Sequence, residues 1–346
     1  MKLNMLNTFS VHYEVLRGRT AIGEIYAADD SAEVQFMGSS ELAMSFRGTF
    51  FMPPAGVDFL TDRLRPVVVL NGREYPCGIY CITTETETTE DGCELKGLQG
   101  YSVLYLAKRT KIEERITIKA GENYITRIVA LLASCGIEDI DAEATDYTIA
   151  ADRSDWEIGT SVLTIVNTLL KEINFRPAWV DLGGRVRLTA YRTPTAADVV
   201  RVYADDEYSV LEAGYTRTED RFGHANVFRV ECDSPDLDKP MAAISVNDSA
   251  ASPYAVSKIG RILHVERVDG TPSQDALQEH ANRLRNESLY TTEDAEIAVA
   301  PIPECNAYDV ISILHGRLSG FYTVMSWRLP LSAGASMTQE IRRVYA

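Results

Sequence analysis

The spacing of apolar residues changes twice along this chain of 346 residues, and that change limits the folds open to it. Up to about Ile118, apolar and polar residues alternate in short runs. Glu33-Val34-Gln35-Phe36-Met37 has the period of two that places every second side chain on one face of a strand. Val67-Val68-Val69-Leu70 stops at Asn71-Gly72, a pair that accepts the positive φ of a tight hairpin turn, and Gly78 to Thr83 is the expected partner strand. Thr83 to Thr89 alternates threonine with glutamate or threonine, which predicts a solvated strand reaching a turn at Asp91-Gly92, with the return along Cys93 to Leu98. Antiparallel hairpins at such short intervals mark a barrel or sandwich.

From about Lys119 the period becomes helical. Ile125, Ile128, Val129 and Leu132 share one face, and the run stops at Cys135-Gly136, where glycine can take a left-handed cap. A second helix is expected from about Gly159 to Ile173, capped by Thr160 or Ser161, with Val162, Val166, Leu169, Leu170 and Ile173 as its buried stripe. Phe175 to Asp181 and Arg185 to Tyr191 read as two strands joined at Gly183-Gly184. After Pro194 the period of two returns at Asn226–Cys232, Ala242–Val246, Arg261–Glu266, Ala295–Val299, Val310–Leu314 and Phe321–Leu331. One helix interrupts it, with Thr271 as N-cap, Pro272 at the first helical position, Gln274 closing a capping box, and Leu277, Ala281 and Leu284 on one face. Asp233 to Tyr254, rich in Asp, Ser and Pro, is the best candidate for a long loop.

The fold class that follows is β-rich mixed α+β. We expect a β-barrel-like domain over 1–118, a small intervening α/β domain over 119–195, and a second β-barrel-like domain over 196–346 carrying a helix at 271–290.

Composition narrows the function. The chain has 50 acidic against 34 basic residues, a net charge of −16, which repels polyphosphate and anionic lipid and argues against sequence-specific nucleic-acid binding. The longest purely aliphatic run is Val67 to Leu70, far short of the roughly 18 apolar residues of a membrane span. Met1 to Asn7 has no apolar core, so no export signal is expected, and the six cysteines (Cys77, Cys81, Cys93, Cys135, Cys232 and Cys305) are expected to be reduced.

A search for chemistry returns little. There is no Gly-x-Ser-x-Gly elbow, no phosphate-cradling glycine loop, and no dinucleotide-binding glycine pattern. His12, His224, His264, His280 and His315 stand singly, so no zinc face of the His-Glu-x-x-His type can form. Cys77-x3-Cys81 lacks a second ligand pair. Asp29-Asp30, Glu113-Glu114 and Asp205-Asp206-Glu207 read as solvated loops, because adjacent residues on a strand point to opposite faces. Glu231, Asp233, Asp236 and Asp238 lack the glycine and fixed spacing of a calcium loop. Trp156, Trp179 and Trp327 stand in three separate elements and read as core anchors rather than a sugar platform. No catalytic, metal or cofactor residue is assigned, and an enzyme is not expected.

Three stretches carry a resemblance. Trp156-Glu157-Ile158-Gly159 leads through the second helix to Asn174-Phe175-Arg176-Pro177-Ala178-Trp179-Val180-Asp181 and Gly184-Arg185-Val186. His224-Ala225-Asn226-Val227-Phe228-Arg229-Val230 is another. The third runs from Ser257, with Ile259-Gly260-Arg261, the capped helix, Pro301, Asp309-Val310-Ile311 and Gly320-Phe321-Tyr322-Thr323-Val324. Together they resemble the baseplate hub proteins of phage and prophage tails, the late control protein D group, and more remotely the hub part of VgrG spike proteins. The resemblance implies a homotrimer in which each copy gives two β-barrel tube domains to a ring. Such a ring adapts a hexameric tail tube to a trimeric spike or tip and lines a central channel, with the α/β domain peripheral. It implies as partners a tube or distal tail protein, a spike or tip protein and a tape measure protein, and a place in the virion after assembly in a bacterial cytoplasm. Since the sequence ends at Ala346 without a spike or wall-cutting domain, such activity would sit on a partner. A cell-wall or carbohydrate-binding adhesin is the alternative.

Overall fold

The computed structural model describes residues 8–90, 92–204, 210–219, 224–232, 240–250, 252–268, 270–290 and 293–344. Eight strands come first: β1 Phe9–Arg17, β2 Thr20–Ile25, β3 Glu33–Met37, β4 Met44–Phe51, β5 Arg63–Leu70, β6 Arg73–Pro76, β7 Tyr80–Glu90 and β8 Cys93–Ser102. The middle part contains α1 Leu104–Arg109, α2 Tyr124–Ser134, β9 Ile140–Ala142, α3 Val162–Glu172, β10 Trp179–Val180 and β11 Val186–Leu188. The last part begins with β12 Val199–Ala204, β13 Leu211–Thr218, β14 Val227–Cys232, β15 Met241–Val246, α4 Val256–Ile259 and β16 Leu263–Val268. It ends with α5 Gln274–Tyr290, β17 Asp294–Val299, β18 Val310–Leu314, β19 Gly320–Pro330 and β20 Met337–Val344.

The first eight strands wrap into a barrel. Seven of them follow the order β3-β4-β8-β7-β5-β1-β2, with β6 added on β5, and the chain just beyond β2 returns to β4 through an Ala27–Phe50 bridge, with Phe51 N–H donating to the Tyr26 carbonyl at 3.0 Å. Pleating explains the core: Met44, Phe46, Gly48 and Phe50 face inward while Ser45, Arg47, Thr49 and Phe51 alternate outward. Asn71 and Gly72 take φ of 53° and 79°, the left-handed pair of a tight hairpin turn. The strand that this turn delivers is β6, not Gly78–Thr83 as expected. The latter stretch meets β5 only at its start, through Arg63–Cys81 and Leu64–Tyr80.

In the last part, β13-β17-β20-β19 continue into the first barrel by pairing β19 with β3, from Ser326–Met37 to Pro330–Glu33. The β18 strand adds to β19, and β12 to β18 in parallel, so both β sections belong to one sheet of 14 strands. One apolar core runs through both, from Tyr13, Phe46 and Tyr80 to Tyr203, Ile313, Tyr322 and Ile341.

The middle module packs α2 and α3 against the small sheet β10-β11-β9. Asn123 caps α2 and Ser161 caps α3, each side chain accepting from the backbone three residues on, and Gly136 takes φ of 79° after α2. Every residue of the expected α3 stripe is buried. Burial of that size contributes roughly 1.5–3 kcal/mol per residue before chain entropy is set against it. The short helix α1 was not expected. Its Leu104, Leu106 and Ala107, with Ile112 and Ile118, fill the same core, so the expected division at Ile118 falls inside the packing of this module.

Strands β14, β15 and β16, expected within the second barrel, instead form a separate sheet ordered β15-β14-β16, covered by α5 through Val230, Cys232, Ala243, Val268, Leu277 and Ala281. The expected long loop at Asp233–Tyr254 contains β15, and its first residues lie outside those described. The α5 helix starts at Gln274 rather than near Thr271. Ser273 Oγ accepts from Ala276 N–H at 3.1 Å as the cap, and Gln274 reaches the Ala242 carbonyl at 2.9 Å instead of closing a capping box.

Candidate assembly surface

The residues inspected for chemistry are dispersed by the fold. Trp156 and Trp327 are buried in the two large cores, and Trp179 is half-buried with its ring edge-on to Tyr308, so the three form no common platform. His280 is buried on α5, His224 stacks on Tyr254 at 4.5 Å, and His264 is exposed on β16. Asp29-Asp30 and Glu113-Glu114 are exposed, while Asp205-Asp206-Glu207 lie outside the described residues. Of the acids weighed for calcium, Glu231 is held by Arg229 at 2.6 Å and Arg267 at 3.6 Å, and Asp233, Asp236 and Asp238 lie outside the described residues. Among the described residues, no group of three or more His, Cys, Asp and Glu stands close enough to share a metal. No disulfide joins the six cysteines, and burial pushes Cys77 and Cys305 up to about 12, far from thiolate chemistry at neutral pH.

What the fold does present is strand edges of two kinds. The outer part of β7 pairs with β8 alone and carries Glu85, Glu87 and Glu90, charged side chains that discourage a further strand. The edges at β2 and β12 are different. Ile22 is exposed on β2, and Tyr26, just beyond it, is 68% exposed beside the outward-facing Phe51. On β12, Val202 stands opposite Ser312 and Ala204 opposite Leu314, so Val200, Val202 and Leu314 share the face opposite the buried Tyr203 and Ile313. Val202 and Leu314 are each 56% exposed. Arg201 ties this edge to the loop before β18 through Asp309 at 3.5 Å and Glu304 at 3.6 Å, and burial pushes the Asp309 carboxyl above its ordinary range. A third apolar face lies on the small sheet, where Ile244 and Val265 flank Arg229 in one row, with Leu263 nearby. Solvent-facing apolar groups on an open strand edge are the features of a contact surface.

The sequence carried one missed signal for this surface. Val199-Val200-Arg201-Val202-Tyr203 is apolar on both faces, which suits a strand covered on one side by the chain itself and on the other by something else.

The class of fold is that of phage and prophage tail proteins. The tail protein from Neisseria meningitidis MC58 superposes with a TM-score of 0.67 at 14% identity, over 96% of each chain. The 43 kDa tail protein of prophage MuSo2 from Shewanella oneidensis gives 0.66 at 12% identity, over 97% of this chain and 98% of that one. Prophage tail protein gp18 from Listeria monocytogenes EGD-e gives 0.57 at 13%, over 96% and 94%. No family model and no curated protein matches the sequence itself.

Proposed function

We propose that this chain is a structural subunit of a phage tail or phage-like particle, the baseplate hub, which closes into a trimeric ring between the tail tube and a spike or tip protein. The observation that carries the reading is the end-to-end correspondence with tail proteins, which spans 96% of this chain in one superposition and 97% in another. The two apolar edges support it, since a ring pairs such edges between copies and removes them from water. The outer face across β19-β3-β4-β8 is polar, with Glu33, Gln35, Arg47, Gln99 and Arg328, and supports a channel wall built where the two β sections join. In this reading the strands within 1–118 and 196–346 that share the 14-stranded sheet supply the tube domains, and 119–195 lies at the periphery. Tube or distal tail protein, spike or tip protein and tape measure protein are the partners, no step of chemistry is assigned to the chain, and its place is the virion after assembly in the host.

Electron microscopy of the purified chain, alone and mixed with its tail-tube protein, tests this together with solution mass. Threefold rings or capped tube ends are expected. Val202→Glu and Tyr26→Glu, both at exposed positions, should leave the melting temperature of the subunit within about 2 °C while dispersing the rings. A monomer that leaves tube ends bare at high concentration overturns the proposal.

A further inference from the structure

Where α5, the stretch from Arg176 to Pro194 and the β19–β20 face meet, they bound a cavity of about 300 Å3. Its charged walls are Arg176, Arg283, Arg342 and Arg343 against one acid, Glu287. On a chain with net charge −16 this concentration of guanidinium is unusual. Three of the four have a carboxylate. Arg283 Nε donates to Glu287 at 2.8 Å, Arg342 gives two hydrogen bonds to Asp294 at 2.8 and 3.0 Å, and Arg343 donates to Glu293 at 2.8 Å.

Arg176 does not. Its guanidinium lies 4.5 Å from the Tyr308 ring centre and 5.2 Å from that of Tyr191, and it makes no hydrogen bond or ion pair among the described residues. Stacking on two rings offsets only part of the cost of taking this cation out of water. Its planar set of N–H donors, the shape that matches carboxylate and phosphate, is left for the cavity. A second polar group is also unmatched. On β19, Tyr322 and Val324 face the core, so Thr323 between them faces the cavity side, and its buried Oγ1 has no hydrogen-bond partner. The residue is 7% exposed.

We infer that this cavity binds a small organic oxyanion, its carboxylate or phosphate group taken by Arg176 with the Thr323 hydroxyl, and its body lying between the tyrosine and proline walls. The volume is at the small end of the roughly 300–1,000 Å3 of small-molecule pockets and exceeds what a lone inorganic ion fills. Because the walls come from three parts of the chain, occupancy would hold those parts together and raise the melting temperature by mass action.

The test is thermal unfolding and calorimetric titration of the full chain with citrate and with inorganic phosphate, at fixed ionic strength against chloride. Saturable binding of either is expected, and the tighter of the two assigns the anionic group. Arg176→Met should weaken it about tenfold or more, and Thr323→Val by a few-fold, while Arg229→Met on the small sheet leaves it unchanged. Should Arg176→Met not fold, Arg176→Lys, which keeps the charge but not the fork, decides in its place with the same expected direction. Absence of saturable binding of both probes up to about 10 mM, or unaltered affinity in the Arg176 variant that folds, overturns the inference.

Discussion

Two carboxylates meet at the junction of the middle module with the small β14–β16 sheet, and they are held in opposite ways. Glu172, the last residue of α3, is 4% exposed; its Oε2 accepts from Arg153 at 2.5 Å and from the Tyr124 hydroxyl at 2.9 Å, while Oε1 has no hydrogen-bond partner. Burial pushes its carboxyl above the ordinary range, with Arg153 and Tyr124 pulling the other way. Glu266 on β16 is partly open to water, and the hydrogen bonds from His280 and Lys171 hold it down to about 2 despite some burial. Lys171 and Glu172 are neighbours on α3, so one helix end makes a wet contact across the junction and a dry one within its own module, against which Gly270 packs. The difference shows that proximity of a cation does not by itself decide a carboxylate's state; the water removed to bring the pair together can outweigh it.

The dry contact should be the harder to lose. Glu172→Ala leaves the buried Arg153 with Asp155 alone and strands the Tyr124 hydroxyl, which should cost about 3–5 kcal/mol in urea unfolding. A loss below about 1 kcal/mol would show that the pair is already open to water and would erase the contrast with Glu266.

Gly270 sharpens the contrast from the other side of the junction. A Cβ built there would stand 2.7 Å from Arg153 Nη1 and 3.2 Å from Glu172 Cδ, and Arg153 cannot easily swing away from two carboxylates. Gly270→Ala should therefore cost about 1–3 kcal/mol. That cost should shrink when combined with Glu172→Ala, since the second change frees the arginine to move. Strict additivity in the double variant would mean that the small unit does not rest on the buried pair.

Glu266→Gln removes the wet contact and should cost only about 1 kcal/mol, because water screens the pair. An equal loss from Glu266→Gln and Glu172→Ala would break the comparison outright.

The α3 end illustrates what was legible and what was not. Its stripe from Val162 to Ile173 and its Ser161 cap follow from local spacing, as do α2, its stop at Gly136, and the Asn71-Gly72 turn. Those features depend on residues within one or two turns of each other. The partners of Lys171 and Glu172 lie between 19 and 95 positions away in sequence, and nothing in the local pattern names them. The same reason hides the β3–β19 pairing that fuses the two β sections, and the separation of β14–β16 from the barrel to which their period of two assigns them. The cap of α5 shows a local error. Thr271, Pro272 and Ser273 all fit a helix start, and the choice of Ser273 is made by Gln274 reaching across to β15. The Arg176 cavity had no local signal at all, since its walls are 38 to 344 in the numbering and only packing unites them.

The smallest effect, and the one most specific to the comparison, is in the acid limb of the stability curve. The Glu266 carboxyl is depressed from an ordinary 4.5 to about 2, so its contribution is present above pH 4.5 and is lost as pH falls from there through about 2. The Glu172 carboxyl is raised, so its term has the opposite sign: protonation is easier in the folded chain, and the associated stability is full below 4.5 and lost as pH rises through the folded value. As pH falls across the acid range the two terms act in succession, Glu172 adding stability until pH reaches 4.5 and Glu266 losing it from there toward about 2. Glu266→Gln removes the depressed group and should make the acid decline shallower. Glu172→Gln, which keeps the side chain's shape, removes the raised group and should remove the gain in stability that precedes the decline. Urea midpoints for the native chain and both variants across that range measure the slopes. If both substitutions shift the slope in the same direction, the two sites do not differ in the way their surroundings imply, and the opposition between the wet and dry contacts falls.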